Sequence, residues 1–196
     1  MRLFWSEIEH AFVGCWRVLR GDQSGLALID VSVDGFWRSF RIAAVLAVLD
    51  AIDGLVAQAY ALGDEISSLT LALAIGVMLL GAVTSVLAFC AFPLAVGMLA
   101  KPMAITARYG PYITVRNWLT AFLSLPIYVL NGLTYANAVP GDVLALLVLA
   151  YEVIVLFAGY AIARALLGCS HSIALGFSLM DFLLALVITK MAYSLF

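Results

Sequence analysis

Two carboxylates, Asp50 and Asp53, stand inside a run from Arg41 to Leu62 that is otherwise apolar, and Glu152 and Asp181 interrupt two further apolar runs closer to the C-terminus. A carboxylate in hydrocarbon is costly unless it is paired, hydrogen-bonded or hydrated, so acids in such places point to a proton or cation site in which they act as the carriers. A separate apolar run supplies Thr120, Ser124, Tyr128, Asn131 and Tyr135. Their spacing of three or four puts them on one helix face. Tyr128, Asn131 and Ser124 are therefore the expected hydrogen-bonding support.

Counting from the expected cytoplasmic ends of the spans, Asp50 and Asp181 sit about 12–14 Å deep, Asp53 about 18 Å and Glu152 about 21 Å. Each acid shares its helix face with small residues: Asp50 with Ala43, Ala47 and Gly54; Glu152 with Ala145, Gly159 and Ala163; Asp181 with Ala174, Ser178 and Ala185. Asp53 is about 60° round the helix from Asp50. Small residues let helices approach closely in lipid, so these faces are expected to look at other helices. No arginine or lysine is expected at that depth, since Lys190 lies close enough to a helix end to snorkel. Four acids without a cation imply bound protons, a bound cation or a water-filled cavity. The competing reading makes them protonated hydrogen-bonding groups that only hold helices together.

Other chemistry is poorly represented. His171 beside Cys169 offers too few ligands for a metal, so no metal site is expected. Cys15, Cys90 and Cys169 lie in three separate segments without a CxxC pair, which fits neither a disulfide framework nor a zinc site. There is no phosphate-binding glycine loop, nucleophile elbow or HExxH pattern. No enzyme activity and no cofactor are expected. The basic residues form no patch, which excludes a nucleic-acid partner.

The elements that must position these acids follow from composition. The 196 residues are 65% hydrophobic and only 11% charged, with a mean hydropathy of +1.12. Soluble chains carry about 25% charged residues, so an all-α polytopic membrane protein is expected. Five transmembrane helices are predicted, at about 40–62, 70–100, 118–136, 143–167 and 173–195. Residues 68–100 read either as one long helix kinked at Pro93 or as a broken one. Residues 103–117, with Tyr109, Gly110, Pro111 and Tyr112, read as a loop or interfacial segment that carries Arg108 and Arg116.

Before these spans, residues 1–35 form a cytoplasmic amphipathic helix and connector, followed by a five-helix transmembrane domain over 36–196. Trp5, Ile8, Phe12, Cys15, Trp16 and Leu19 recur at helical spacing over residues 3–20. Such a helix lies in the membrane interface or docks on the protein's own helices. Trp5, Trp16 and Trp37 are the expected interface anchors. The first forty residues carry charges throughout, unlike a cleavable signal peptide.

Orientation follows from the basic residues. Arg2, Arg17, Arg20, Arg38, Arg41, Lys101, Arg108, Arg116 and Arg164 fall on one side of the expected spans and only Lys190 on the other. Nine against one places the N-terminus in the cytoplasm and the C-terminus outside, in a cell inner (plasma) membrane.

The layout of a cytoplasmic N-terminal segment, closely spaced spans and a proline-containing middle resembles the bacterial Yip1-domain membrane proteins. The residues that carry the likeness run from Gly35 to Phe40, and from Gly159 to Arg164 leading into Gly168, Cys169, Ser170 and His171. The resemblance covers about residues 30–196. It implies a non-enzymatic scaffold or trafficking role and carries no functional residue across. The residues themselves predict an integral membrane protein with a buried carboxylate cluster, a proton- or cation-linked transporter or a component of one. The alternative is an accessory or scaffold subunit. Five spans without an inverted repeat are few for alternating access, so a homo-oligomer or a membrane-protein partner is expected beside the bilayer itself.

Overall fold

A computed structural model describes residues 2–194 of the chain. The described residues are all-helical: α1 (Arg2–Leu19), α2 (Val33–Ser39), α3 (Arg41–Leu62), α4 (Leu71–Ala100), α5 (Thr106–Tyr135), α6 (Gly141–Leu167) and α7 (His171–Tyr193), with short 3-10 turns at Gln23–Leu28 and Gly63–Ser68. The predicted end of the fifth span at 195, and the side chain of Arg2, lie outside the described residues.

Local chemistry explains where the helices start and stop. Ser32, Thr70 and Ser170 each accept a backbone N–H three residues on, capping α2, α4 and α7. At its C-terminus α6 ends on Gly168, whose positive φ lies in the left-handed region that suits a residue without Cβ. Arginines take two carbonyl groups at this turn. Arg108 donates to Leu167 and Arg164 to Cys169 just beyond it.

The helices α3 to α7 form a ring. Going round it, α3 packs along α4, α4 against α7, α7 against α6, α6 against α5, and α5 back against α3. The end of this ring that bears α1, α2 and the turns at 101–105 and 168–170 is the basal end. The end with the turns at 63–70 and 136–140 is the distal end. The basal half is the core: Phe92, Val96, Tyr112, Ile113, Val115, Ile162, Ala163 and Ala174 are almost wholly shielded. In the distal half burial is confined to a few positions where α3 meets α4, such as Ala51, Gly54, Val77 and Gly81.

Four helices are long and apolar enough to cross a membrane by length and composition: α4, α5, α6 and α7 through Ala192. Four rather than the expected five meet this test; α3 is not among them. Two further expectations need correction. The segment 103–117 is not a loop, because α5 already begins at Thr106 and runs through both Pro111 and Pro126. A proline near a helix start loses only one backbone bond. Burial of Tyr112, Ile113, Val115 and Trp118 outweighs that loss. The chain from Leu71 to Ala100 is one helix through Pro93, not a broken one.

The N-terminal helix forms, but the expected stripe divides. It buries Ala11, Cys15 and Val18 against the bundle, over α5 and α6, while Trp5, Phe12 and Trp16 remain exposed. Cys15 donates to the Val115 carbonyl, and its burial pushes the thiol up to about 12. Trp37 on α2 is also exposed.

Candidate functional site: a polar interior around α5

Proline chemistry sets up the first part of the site. Pro93 has no N–H, so the carbonyl of Phe89, four residues earlier, loses its helical donor. The Nη1 of Arg116 replaces it at 3.2 Å. The same guanidinium forms a two-pronged ion pair with Asp181 on α7, Nε to Oδ2 at 3.0 Å and Nη2 to Oδ1 at 2.6 Å. It also lies against the rings of Phe89 and Phe92, at 5.1 and 5.2 Å. Asn117 extends the network, accepting from Arg116 at 3.4 Å and donating to the hydroxyl of Ser39 at 2.9 Å. A guanidinium with five fixed donors suits such a junction of α4, α5 and α7.

The second part lies further along α5. Tyr128 donates to Asp50 Oδ1 at 2.8 Å. Asn131 donates to Asp53 Oδ2 at 2.9 Å, and Tyr135 to Asp53 Oδ1 at 3.3 Å. No arginine or lysine pairs with either acid among the described residues. Beyond them, Tyr60 donates to Asn137 at 3.1 Å and ties α3 to the distal turn. On the other side of α3, its backbone at Asp50 runs hard against Gly81 of α4. A Cβ at position 81 would lie 2.7 Å from the Asp50 carbonyl oxygen.

Two adjoining cavities occupy the interior. One, of about 270 Å³, is lined by Asp50 and Asp53 with Thr84, Ser85, Thr120, Ser124, Tyr128 and Thr189. The other, of about 490 Å³, reaches Glu152 and Asp181 and has a more apolar wall. Arg116, Thr120, Ser124, Ile127, Ala185 and Thr189 border both, so α5 and α7 face each other across this space.

Asp50, Asp53 and Asp181 thus do not share one layer. Their partners on α5 run from Arg116 to Tyr135. At the rise of an α-helix those two positions stand about 28 Å apart. Among the described residues no hydrogen bond joins one of these carboxyl groups to another. Glu152 takes no hydrogen bond or ion pair among the described residues, although it lines the larger cavity. Of the expected support, Tyr128 and Asn131 reach acids. Ser124 donates instead to the Ala121 carbonyl within its own helix and borders both cavities.

Arg116 is the residue that sequence reasoning misses, because the turn signals of residues 103–117 suggest a loop or interfacial segment. A signal was present. Arg116 extends the 120, 124, 128 spacing by one more helical turn, on the same face. His171 stacks beside Tyr160 and meets its hydroxyl at 2.6 Å, and no cluster of metal-ligating side chains forms among the described residues.

No protein-family model matches this chain, and no curated protein or solved structure matches it either.

Proposed function

We propose that this chain is a non-enzymatic, five-span protein of the cell inner membrane that conducts or couples a proton or small cation through its polar interior, as a transporter or a transporter component. One observation carries the reading. A cavity reaches Asp50 and Asp53, whose hydrogen-bond partners are neutral donors, while Arg116 on the same wall is committed to Asp181, which leaves the two acids without a counter-charge of their own. Carboxylates so placed are expected to take a mobile proton or cation.

α3 serves as the fifth crossing in this proposal. It runs from Arg41 to Leu62. A helix of that length extends about 33 Å, long enough for the hydrocarbon core. Its two acids face α5 rather than lipid. Basic residues support a cytoplasmic basal end, with Arg17, Arg20, Arg38, Arg41, Lys101, Arg108 and Arg164 there and Asp64, Glu65, Asp142 and Lys190 distal. Arg116 no longer counts toward that asymmetry.

A second reading, the accessory or scaffold subunit that a Yip1-like resemblance implies, draws support from Asp181, whose carboxylate is fully engaged by Arg116. Replacement of Asp50 and Asp53 by Asn discriminates. Proton- or cation-linked flux in liposomes should disappear while thermal stability in detergent stays within about 1 kcal/mol, because amides keep hydrogen-bonding capacity toward Tyr128 and Asn131. Absent flux in the unsubstituted protein, together with loss of assembly in the variant, would establish the scaffold reading instead.

A further inference from the structure

Away from the interior, an apolar groove of about 380 Å³ runs between α3 and α5 on the outer surface of the bundle. Ile42, Leu46 and Trp118 form its buried floor, and Val45 and Leu125 are exposed at its margins. Its charged lining residues are Arg38, Arg41 and Glu7, which belong to the basal helices α1 and α2 and the first residue of α3. From Arg41 to Leu49 the groove follows α3 for about 12 Å.

The basal mouth has donor capacity to spare. Arg41 is exposed and takes no ion pair or hydrogen bond among the described residues. Arg38, by contrast, is tied to Asp30, and its buried Nε lies 3.5 Å from Glu7 Oε1 in an ion pair. Arg38 is thus matched by two carboxylates, and among the described residues Arg41 is the guanidinium at the mouth left without one.

We propose that this groove binds one anionic phospholipid, with an acyl chain along α3 and α5 and the phosphate on Arg41. Guanidinium matches phosphate in geometry as well as charge. The Glu7 carboxylate opposes the phosphate, and its proximity to Arg38 offsets part of that repulsion. The inference rests on α3 being a crossing helix, which brings the groove into contact with lipid.

The test is native mass spectrometry of the detergent-purified protein titrated with phosphatidylglycerol, alongside diacylglycerol of the same chains. One phosphatidylglycerol should be retained and diacylglycerol should not. Arg41→Glu should lower occupancy about tenfold or more, the effect of one charge-assisted hydrogen bond. Ala121→Trp should block the groove, with thermal stability checked in parallel. Equal retention of the two lipids, or unchanged occupancy in Arg41→Glu, overturns the proposal. The α3 reading is checked separately, with Val48→Cys placed in a variant lacking the three native cysteines and embedded in liposomes. Labelling of Val48→Cys by a membrane-impermeant maleimide counts against α3 as a span. Protection combined with non-selective lipid retention counts against the lipid site alone. Flux is not read in either measurement.

Discussion

The two ends of the helix ring handle buried acid in opposite ways. At the basal end Asp181 meets a fixed guanidinium, and Arg116, Asn117 and Ser39 sit among fully shielded side chains. Toward the distal end Asp50 and Asp53 meet only tyrosine and asparagine donors and border a cavity. One helix, α5, supplies the partners for both. The difference teaches that an acid in an apolar run has two distinct meanings. Paired with a built-in cation it is a structural joint, and paired with neutral donors it is, in the proposed function, the site left open to a mobile charge.

The sharpest way to break this comparison is at the joint. Arg116→Met leaves Asp181 without a counter-charge and the Phe89 carbonyl without a donor, and should destabilise the fold by about 3–5 kcal/mol. Adding Asp181→Leu should recover more than half of that loss, since an apolar pair of similar volume tolerates burial. Thermal or denaturant unfolding in a fixed detergent reads both values. Little effect from Arg116→Met would mean that the basal pair is no more structural than the distal contacts.

This joint also marks the limit of what the sequence made legible. Helical class, the distal turns and the bounds of α3, α4, α6 and α7 follow from long apolar runs punctuated by Gly, Pro, Asn and Asp. The contacts of Tyr128 and Asn131 with the acids follow from a period of three to four. What failed was the Tyr109-Gly110-Pro111-Tyr112 segment, where local turn signals conflict with burial that only tertiary structure supplies. Misplacing the start of α5 moved Arg116 out of the bundle and created an apparent lack of cations. The N-terminal helix shows the same limit. Its large aromatic residues dominate any periodicity count, whereas the small residues Ala11 and Cys15 make the close contact.

Behind the distal acids lies Gly81. An alanine there would meet the Asp50 backbone. Gly81→Ala should therefore cost about 1–3 kcal/mol by forcing α3 from α4. The shift should also draw Asp50 away from Tyr128. If the distal acids tolerate movement, the stability loss should stay at the low end of that range while flux falls. Equal stability with an unchanged cavity function would show that α3 yields without consequence.

Tyr128→Phe probes the open end more gently. It removes one hydrogen bond to Asp50 beside a cavity where water can substitute, so about 1 kcal/mol or less should be lost. A loss as large as that of Arg116→Met would erase the distinction between the joint and the open site.

The smallest effect concerns the edge of the basal end, where charge is exposed. Asp30 accepts from the hydroxyl and backbone N–H of Ser32, and these bonds, ahead of the Arg38 guanidinium, hold its carboxyl below the usual carboxylate range. A depressed folded value means that the contribution is complete above the ordinary carboxylate range and is lost as pH falls through the depressed value. Because Asp30 is largely exposed, solvent screening keeps that contribution small. Acidification should therefore loosen the turn that carries α2 before it affects the interior. Amide exchange of residues 30–39, followed from neutral pH downward and corrected for the intrinsic pH dependence of exchange, should show protection falling only below the usual carboxylate range. Asp30→Asn should remove that acid step while leaving the unfolding of α5 unchanged. Persistence of the step in Asp30→Asn would assign it to another acid and separate the α2 turn from the Arg38 contact.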